Sequence, residues 1–104
     1  MSFIVETPEP PYYAVIAPIE WSDDVEGFPE MAEKMLELAQ DQDGFIGMEM
    51  AAEDSCSLSV SYWTSLEAIK SWSTHAEHLV AKKLGKDKWF SKYKTHIAKV
   101  ERAY

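Results

Sequence analysis

The sequence predicts one α+β domain in the order β-α-β-β-α-β, and three observations predict it. Four stretches carry strand chemistry or alternation, two carry helical periodicity, and they follow one another in that order. Each helical stretch opens on a capping pattern and closes near a glycine. The 104 residues, 46% hydrophobic and 12% aromatic, supply one packed core and no second.

Pro8, Pro10 and Pro11 remove backbone donors from the first eleven residues, so residues 1–11 read as an extended arm and residues 12–104 as the domain. Tyr12 to Glu20 (YYAVIAPIE) is nearly uncharged and rich in β-branched and aromatic residues, which suits a strand buried on both faces. Pro18 within it implies a bulge or an edge near its end. Asp23 and Glu26 resemble a capping box, and Phe28, Met31, Met35 and Leu38 follow at helical spacing, so a helix is predicted over 25–42 with Gly44 as its left-handed stop.

Phe45 to Ala52 and Ser57 to Trp63 read as two strands joined by a short polar link, hence an antiparallel hairpin. In the second, Leu58, Val60 and Tyr62 alternate with Ser57, Ser59, Ser61 and Trp63, giving one apolar face and one small, polar face closed by Trp63. Thr64 with Glu67 predicts the start of a second helix, whose apolar side carries Leu66, Ile69, Trp72, Ala76 and Leu79 and whose stop is Gly85. After a turn around Trp89 and Phe90, Lys94 to Tyr104 alternates as a last strand.

This order predicts a ferredoxin-like fold: a four-stranded antiparallel sheet with both helices on one face. The opposite face, assigned here to Ser59, Ser61 and Trp63, is left without a helix. Strands this apolar are ill suited to open water, so a homodimer through the open sheet face is expected.

Charge excludes several partners. The net charge is -8, with 14 acids against Lys34 alone in residues 1–54 and four acids against nine bases in residues 55–104. Such a chain repels phosphate backbones, so no nucleic acid is expected. The opposed halves either attract each other, within a subunit or across a two-fold axis, or form two differently solvated faces. No apolar run reaches the roughly 20 residues that span a bilayer, and the N-terminus lacks a signal pattern. No membrane association and a cytoplasmic location are expected. A single cysteine, Cys56, builds neither a disulfide nor a metal site.

The stretches FPEMAEKMLELAQDQDGFIGMEM, VSYWTSLEAIKSW, EHLVAKKLGKDKWFSKY and HIAKVERAY resemble the antibiotic biosynthesis monooxygenase (ABM) family over Tyr12 to Tyr104. The resemblance implies a dimeric α/β barrel, two sheets closing face to face, with cavities between each sheet and its helices or partner strands. Some members that look like this chain are cofactor-independent oxygenases turning anthrone-like aromatic polyketides into quinones. Others degrade haem, act on small signalling molecules or have no assigned activity. Of the residues used by the quinone-forming members, Trp63 matches the tryptophan, while Ser59 stands in place of an asparagine and Ile69 in place of a tyrosine. Trp72 matches a tryptophan of the haem-degrading members, but Lys82 stands where those carry the iron-ligating histidine. The resemblance thus implies a monooxygenase without cofactor acting on a small aromatic or polyketide-like substrate. The alternatives are a non-catalytic dimer binding a small hydrophobic molecule and, third, a haem-degrading enzyme.

Trp63 reads either as a stacking platform for an aromatic ligand or as a dimer-core aromatic. Ser59 and Ser61 either donate hydrogen bonds to a ligand or allow close strand contact, and Trp72 joins them as a ligand-binding candidate. His96 and His75 are the candidate bases near neutral pH; a strand histidine at the dimer seam is the plainer reading of His96. His75 and His78 lie three apart on the second helix but lack a third ligand, so no metal is expected. Lys82, Lys83, Lys86, Lys88 and Lys92 form a solvated face or a rim that guides anions.

Overall fold

Tyr12–Trp21 (β1) is the strand around which the sheet is built. The computed structural model describes residues 2–82 and 89–104, with the backbone alone for 77–82. The elements after β1 are α1 (Phe28–Gln40), β2 (Phe45–Ala52), β3 (Cys56–Trp63), α2 (Leu66–Lys82), β4 (Phe90–Tyr93) and β5 (His96–Val100). Across the sheet the order is β2-β3-β1-β4, with β5 also on β1, and every pairing is antiparallel. This is the expected ferredoxin-like arrangement, with five strands in place of four. The expected Gly85 stop and Lys83, Lys86 and Lys88 lie outside the described residues, as do the side chains of His78 and Lys82.

The extra strand has a local cause. β4 and β5 pair with β1 in a single register, Ile19 opposite Tyr93 and Ile16 opposite His96, so they are one strand interrupted at Lys94 and Thr95. The interruption falls opposite Pro18. Lys94 N–H donates to the Pro18 carbonyl at 3.1 Å, but Pro18 has no N–H to return. β1 is therefore not an edge, and its expected bulge lies at Glu20/Trp21, where the pairing with β4 shifts.

Both helix starts differ from the predicted caps. Gly27 stands at the N-cap of α1 and has no side chain to cap with, Pro29 follows in the first turn, and Asp24 Oδ1 accepts from Glu26 N–H in the preceding turn at 3.1 Å. Trp89 Nε1–H donates to the Glu26 carbonyl at 2.8 Å and its ring packs edge-on against Phe28, tying the start of α1 to β4. For α2 the cap is Ser65 rather than Thr64. Ser65 Oγ accepts from Ala68 N–H at 3.1 Å, and Thr64 N–H is instead spent on the Gly44 carbonyl at 2.8 Å. Gly44 has the expected left-handed backbone, φ 91°, and a Cβ there would press on Thr64 and Ala68, so only glycine fits the α1–β2 turn against α2.

The main correction concerns the two sheet faces. Trp63 is fully buried and packs with Val15, Ala39 of α1 and Ile69 of α2. Ser57, Ser59, Ser61 and Trp63 therefore face the helices, and Leu58, Val60 and Tyr62 form the open side. The alternation in β3 divides the residues into the right two sets, but polarity is a poor guide to which set is inside. Trp63 and Trp72 fill the space between sheet and helices, so the neighbouring strand positions must be small, and serine is small enough. Across the open side, Tyr12, Ala14, Ile16 and Pro18 share a face with Leu58, Val60 and Tyr62 by register.

Part of that open side is covered by the arm. Val5 N–H donates to Glu49 Oε2 at 3.0 Å, Tyr62 O–H donates to Glu49 Oε1 at 2.6 Å, and Tyr12 O–H donates to Thr7 Oγ1 at 3.0 Å. Gly47 is bare because the Val5 side chain occupies the place where a Cβ would be. Tyr12 is buried beneath the arm side of this network and meets Tyr62 edge-to-face at 5.8 Å.

Burial, then the hydrogen bond to the Glu49 carboxylate and the repulsion of its charge, push the Tyr62 hydroxyl up to about 12 from an ordinary 10.0. The raised value means that the neutral hydroxyl stabilises the fold fully below pH 10 and that this contribution is lost as pH climbs through about 12. A spectrophotometric titration is expected to show one late tyrosinate component that disappears in Tyr62→Phe. If Tyr62→Phe leaves the alkaline end of the curve unchanged, the contact with Glu49 does not hold in solution.

Candidate functional site

The most enclosed polar chemistry among the described residues lies between β3 and α2. β3 delivers Ser61 and Trp63 to the helix side two residues apart, and α2 brings Trp72 down onto them. The two indoles lie 5.2 Å apart, tilted by 36°, and Phe45 of β2 closes the other side of Trp63 at 5.1 Å, edge-on. Trp63 Nε1–H donates to Ser61 Oγ at 3.0 Å, which fixes the Trp63 ring and satisfies its donor. Trp72 is different. Its Nε1–H is buried and has no acceptor among the described residues.

A buried, unmatched N–H costs about 1–3 kcal/mol, and native proteins rarely leave one so without a reason. Its chemistry is that of a hydrogen-bond donor waiting for an acceptor oxygen, set beside a flat aromatic surface. Ser59, half-buried on the same face as Ser61, and Ser57 and Ser61, both buried, keep the wall beside the indoles short. Ile69, where the resemblance would have a tyrosine, is a fully buried core residue against Trp63.

The two histidines are elsewhere. His96 pairs opposite Ile16 and so belongs to the open side of the sheet, where it is exposed. His75 is exposed on α2, one turn beyond Trp72, in a shallow cleft of about 420 Å³ with Glu67, Lys70, Ser71 and Thr74. A neighbouring cleft of about 360 Å³ runs from Gln42 and Gly44 to Thr64 and Ser71. Neither cleft is lined by Ser59, Ser61 or Trp63. The structure thus brings Ser61, Trp63 and Trp72 together and leaves His75 and His96 apart from them. Among the described residues no three His, Cys, Asp or Glu side chains gather as a metal site, and no helix is long and apolar enough to cross a membrane.

Two features were missed by sequence reasoning. Ser61 acts as the acceptor for Trp63, which its i, i+2 placement on one strand face could have suggested. Glu49 anchors the arm, and the signal was a lone acid in the otherwise uncharged strand FIGMEMAA.

The family described as Monooxygenase af470-like matches residues 12–101, leaving the arm outside. YqjZ of Bacillus subtilis (strain 168), an uncharacterised protein, is 47% identical over 103 residues, covering 98% of this chain and 90% of YqjZ. Among solved structures, SnoaB, a cofactor-independent oxygenase from Streptomyces nogalater, superposes with a TM-score of 0.73 at 11% identity, over 90% of this chain and 97% of SnoaB. A protein of Chloroflexus aurantiacus assigned to the antibiotic biosynthesis monooxygenases superposes with a TM-score of 0.62 at 13% identity, over 89% of this chain and 96% of that one. At these identities the structural likeness speaks for the fold.

Proposed function

This chain belongs to the monooxygenase af470-like family, an ABM-like family, and from that premise we propose that it is a cofactor-independent monooxygenase acting on a small aromatic or polyketide-like substrate. The observation that carries the reading is the buried Trp72 Nε1–H with no acceptor among the described residues, held beside the Trp63 ring. A planar substrate with a carbonyl or phenolate oxygen supplies the hydrogen-bond acceptor that the Trp72 indole lacks and an aromatic surface for its ring. SnoaB, whose fold this chain shares, is an oxygenase of that cofactor-independent kind.

The chemistry needs little from the protein. A phenol or anthrone loses a proton, the resulting anion reacts with dioxygen, and the methylene becomes a carbonyl. One oxygen atom enters the product and the other leaves as water with the two methylene hydrogens, so the substrate itself supplies the electrons. Donation from Trp72 to the substrate oxygen favours the anion, and excluding water strengthens that donation. Ser61 acts indirectly by holding Trp63, while Ser59 lines the same face. His75, exposed on α2 one turn from Trp72, and His96, exposed on the other side of the sheet, are the candidate bases, the latter for a site completed by a second copy. A homodimer through the open sheet face and a cytoplasmic location complete the proposal.

The exposure of both histidines favours a second reading, a dimer that binds such a molecule without turning it over. Oxygen uptake by the pure protein with a hydroxyanthrone separates the two. Protein-dependent uptake under air, with no product formed anaerobically, is the expected result. Binding without uptake assigns the protein to the second reading, and neither binding nor uptake overturns the proposal.

A further inference from the structure

Tyr62 and Glu49 form a phenol and carboxylate pair that the proposed chemistry leaves unused. The hydroxyl donates to Glu49 Oε1 at 2.6 Å, the length of a charge-assisted bond, and Val5 N–H holds the other carboxylate oxygen at 3.0 Å. On the opposite face of β3, one peptide bond away, Trp63 lies against Trp72 with ring centres 5.2 Å apart. Neither indole N–H meets a base. Trp63 Nε1–H donates to the Ser61 hydroxyl, and the buried Trp72 Nε1–H has no acceptor among the described residues. Indoles and phenols are the protein side chains other than thiols that give up an electron most readily. Here β3 joins two indoles that have nowhere to put a proton to a phenol with a carboxylate in place to take one.

We propose that Trp72, Trp63, Tyr62 and Glu49 form a one-electron relay across the sheet, which moves an oxidising equivalent off the indole pair and onto Tyr62. The oxidant is an oxygen-centred radical of the peroxyl class, which takes one electron from the indole pair and one proton from solvent and leaves as a hydroperoxide. The oxidised indole keeps its N–H proton and so carries a positive charge, a costly state in a layer poor in water. An electron from Tyr62 restores the indole, and the phenolic proton crosses to Glu49 Oε1 in the same step. Tyr62 is then a neutral phenoxyl radical and Glu49 a neutral acid, and no charge is left among the indoles. Tyr12, edge-to-face with Tyr62 at 5.8 Å, donates to the Thr7 hydroxyl, a far weaker base, so the equivalent stops at Tyr62. A reductant of the ascorbate class returns one electron to Tyr62 and Glu49 returns the proton, which leaves the chain as it began. The relay goes beyond the oxygenase reading and does not require it, because any one-electron oxidant of indoles drives it.

Pulse radiolysis of the full chain with azide radical, which oxidises indoles selectively, tests this. The indolyl absorption is expected to decay as the tyrosyl absorption grows, at a rate that falls in heavy water. Tyr62→Phe should remove most of the tyrosyl growth. Glu49→Gln keeps a hydrogen-bond acceptor but not a base, and should slow the growth about tenfold or more. Tyrosyl growth that is undiminished in Tyr62→Phe overturns the relay, and an unchanged rate in Glu49→Gln overturns the proton step and the relay with it. Should either variant lose the circular dichroism of the full chain, the unaltered protein decides: equal rates in light and heavy water mean that no proton moves with the electron, and overturn the relay. None of these readings involves turnover of a substrate, so their failure leaves the oxygenase proposal standing, and an absence of oxygen uptake leaves the relay standing.

Discussion

Trp63→Ala is expected to lower the free energy of unfolding by about 3–5 kcal/mol, since Trp63 is the largest fully buried side chain among the described residues. Trp63 is wholly buried, touches both helices' core residues and carries a satisfied indole donor. Removing it empties the layer between sheet and helices at its centre and strands the Ser61 hydroxyl. A domain of this size has about 5–15 kcal/mol in total, so the variant should lose a large share of its stability and unfold at much lower urea. Trp63→Phe, which keeps most of the volume, should cost markedly less. The magnitude also tests the face assignment. Were Trp63 on the open side of the sheet, the same truncation in a lone subunit would cost a fraction of this.

Trp72→Phe is expected to act with opposite signs on binding and on stability. In the free protein the Trp72 donor is buried without an acceptor among the described residues, so replacing the indole by a phenyl ring removes an unmet polar group. Stability should be unchanged or slightly higher. With a hydroxyanthraquinone, a stable analogue of the proposed product, the same change removes a hydrogen bond to the ligand. Affinity is expected to fall about tenfold, the equivalent of about 1.4 kcal/mol. Calorimetric titration of both proteins, with urea unfolding alongside, measures the two effects. A variant that loses stability and affinity together would mean that Trp72 only packs.

Much of the fold is legible in the sequence because its periodicities are strong. The residues of β1, β2 and β3 alternate or run apolar over nearly the spans the structure shows, and of the apolar stripe in α1 Met31 is buried and Met35 and Leu38 half-buried, while the buried Ala39 lies beside that stripe. The boundaries are less legible where two signals compete. Thr64 and Ser65 both suit a cap, and only the contact of Thr64 with Gly44 decides between them. The interruption between β4 and β5 is a consequence of a proline 76 residues earlier in the chain, which no local pattern around Lys94 records.

The candidate site was legible as a list and not as an arrangement. The sequence points to Trp63, Trp72 and Ser61, yet its polarity pattern assigns the serines and Trp63 to the open side of the sheet, and they face the helices. Periodicity divides a strand into two faces but carries no label for the inner one. Tertiary packing supplied it, through two indoles whose volume requires small neighbours. The histidines stood out by their chemistry alone, and chemistry says nothing of distance from an indole in another element. The Glu49 anchor shows the converse. A carboxylate in an apolar strand was visible, but its partners, Val5 and Tyr62, are 44 residues before it and 13 after it in the chain.

The account turns on an acceptor-seeking Trp72 N–H enclosed between sheet and helices. The chain has four tryptophans, hence four indole N–H signals in a ¹H–¹⁵N correlation spectrum, and the Trp72→Phe variant identifies the one in question. Titration with a hydroxyanthraquinone is expected to move the Trp72 signal downfield, as a new hydrogen bond does, while those of Trp21 and Trp89 stay in place. A Trp72 signal that holds still while another indole responds would contradict the account.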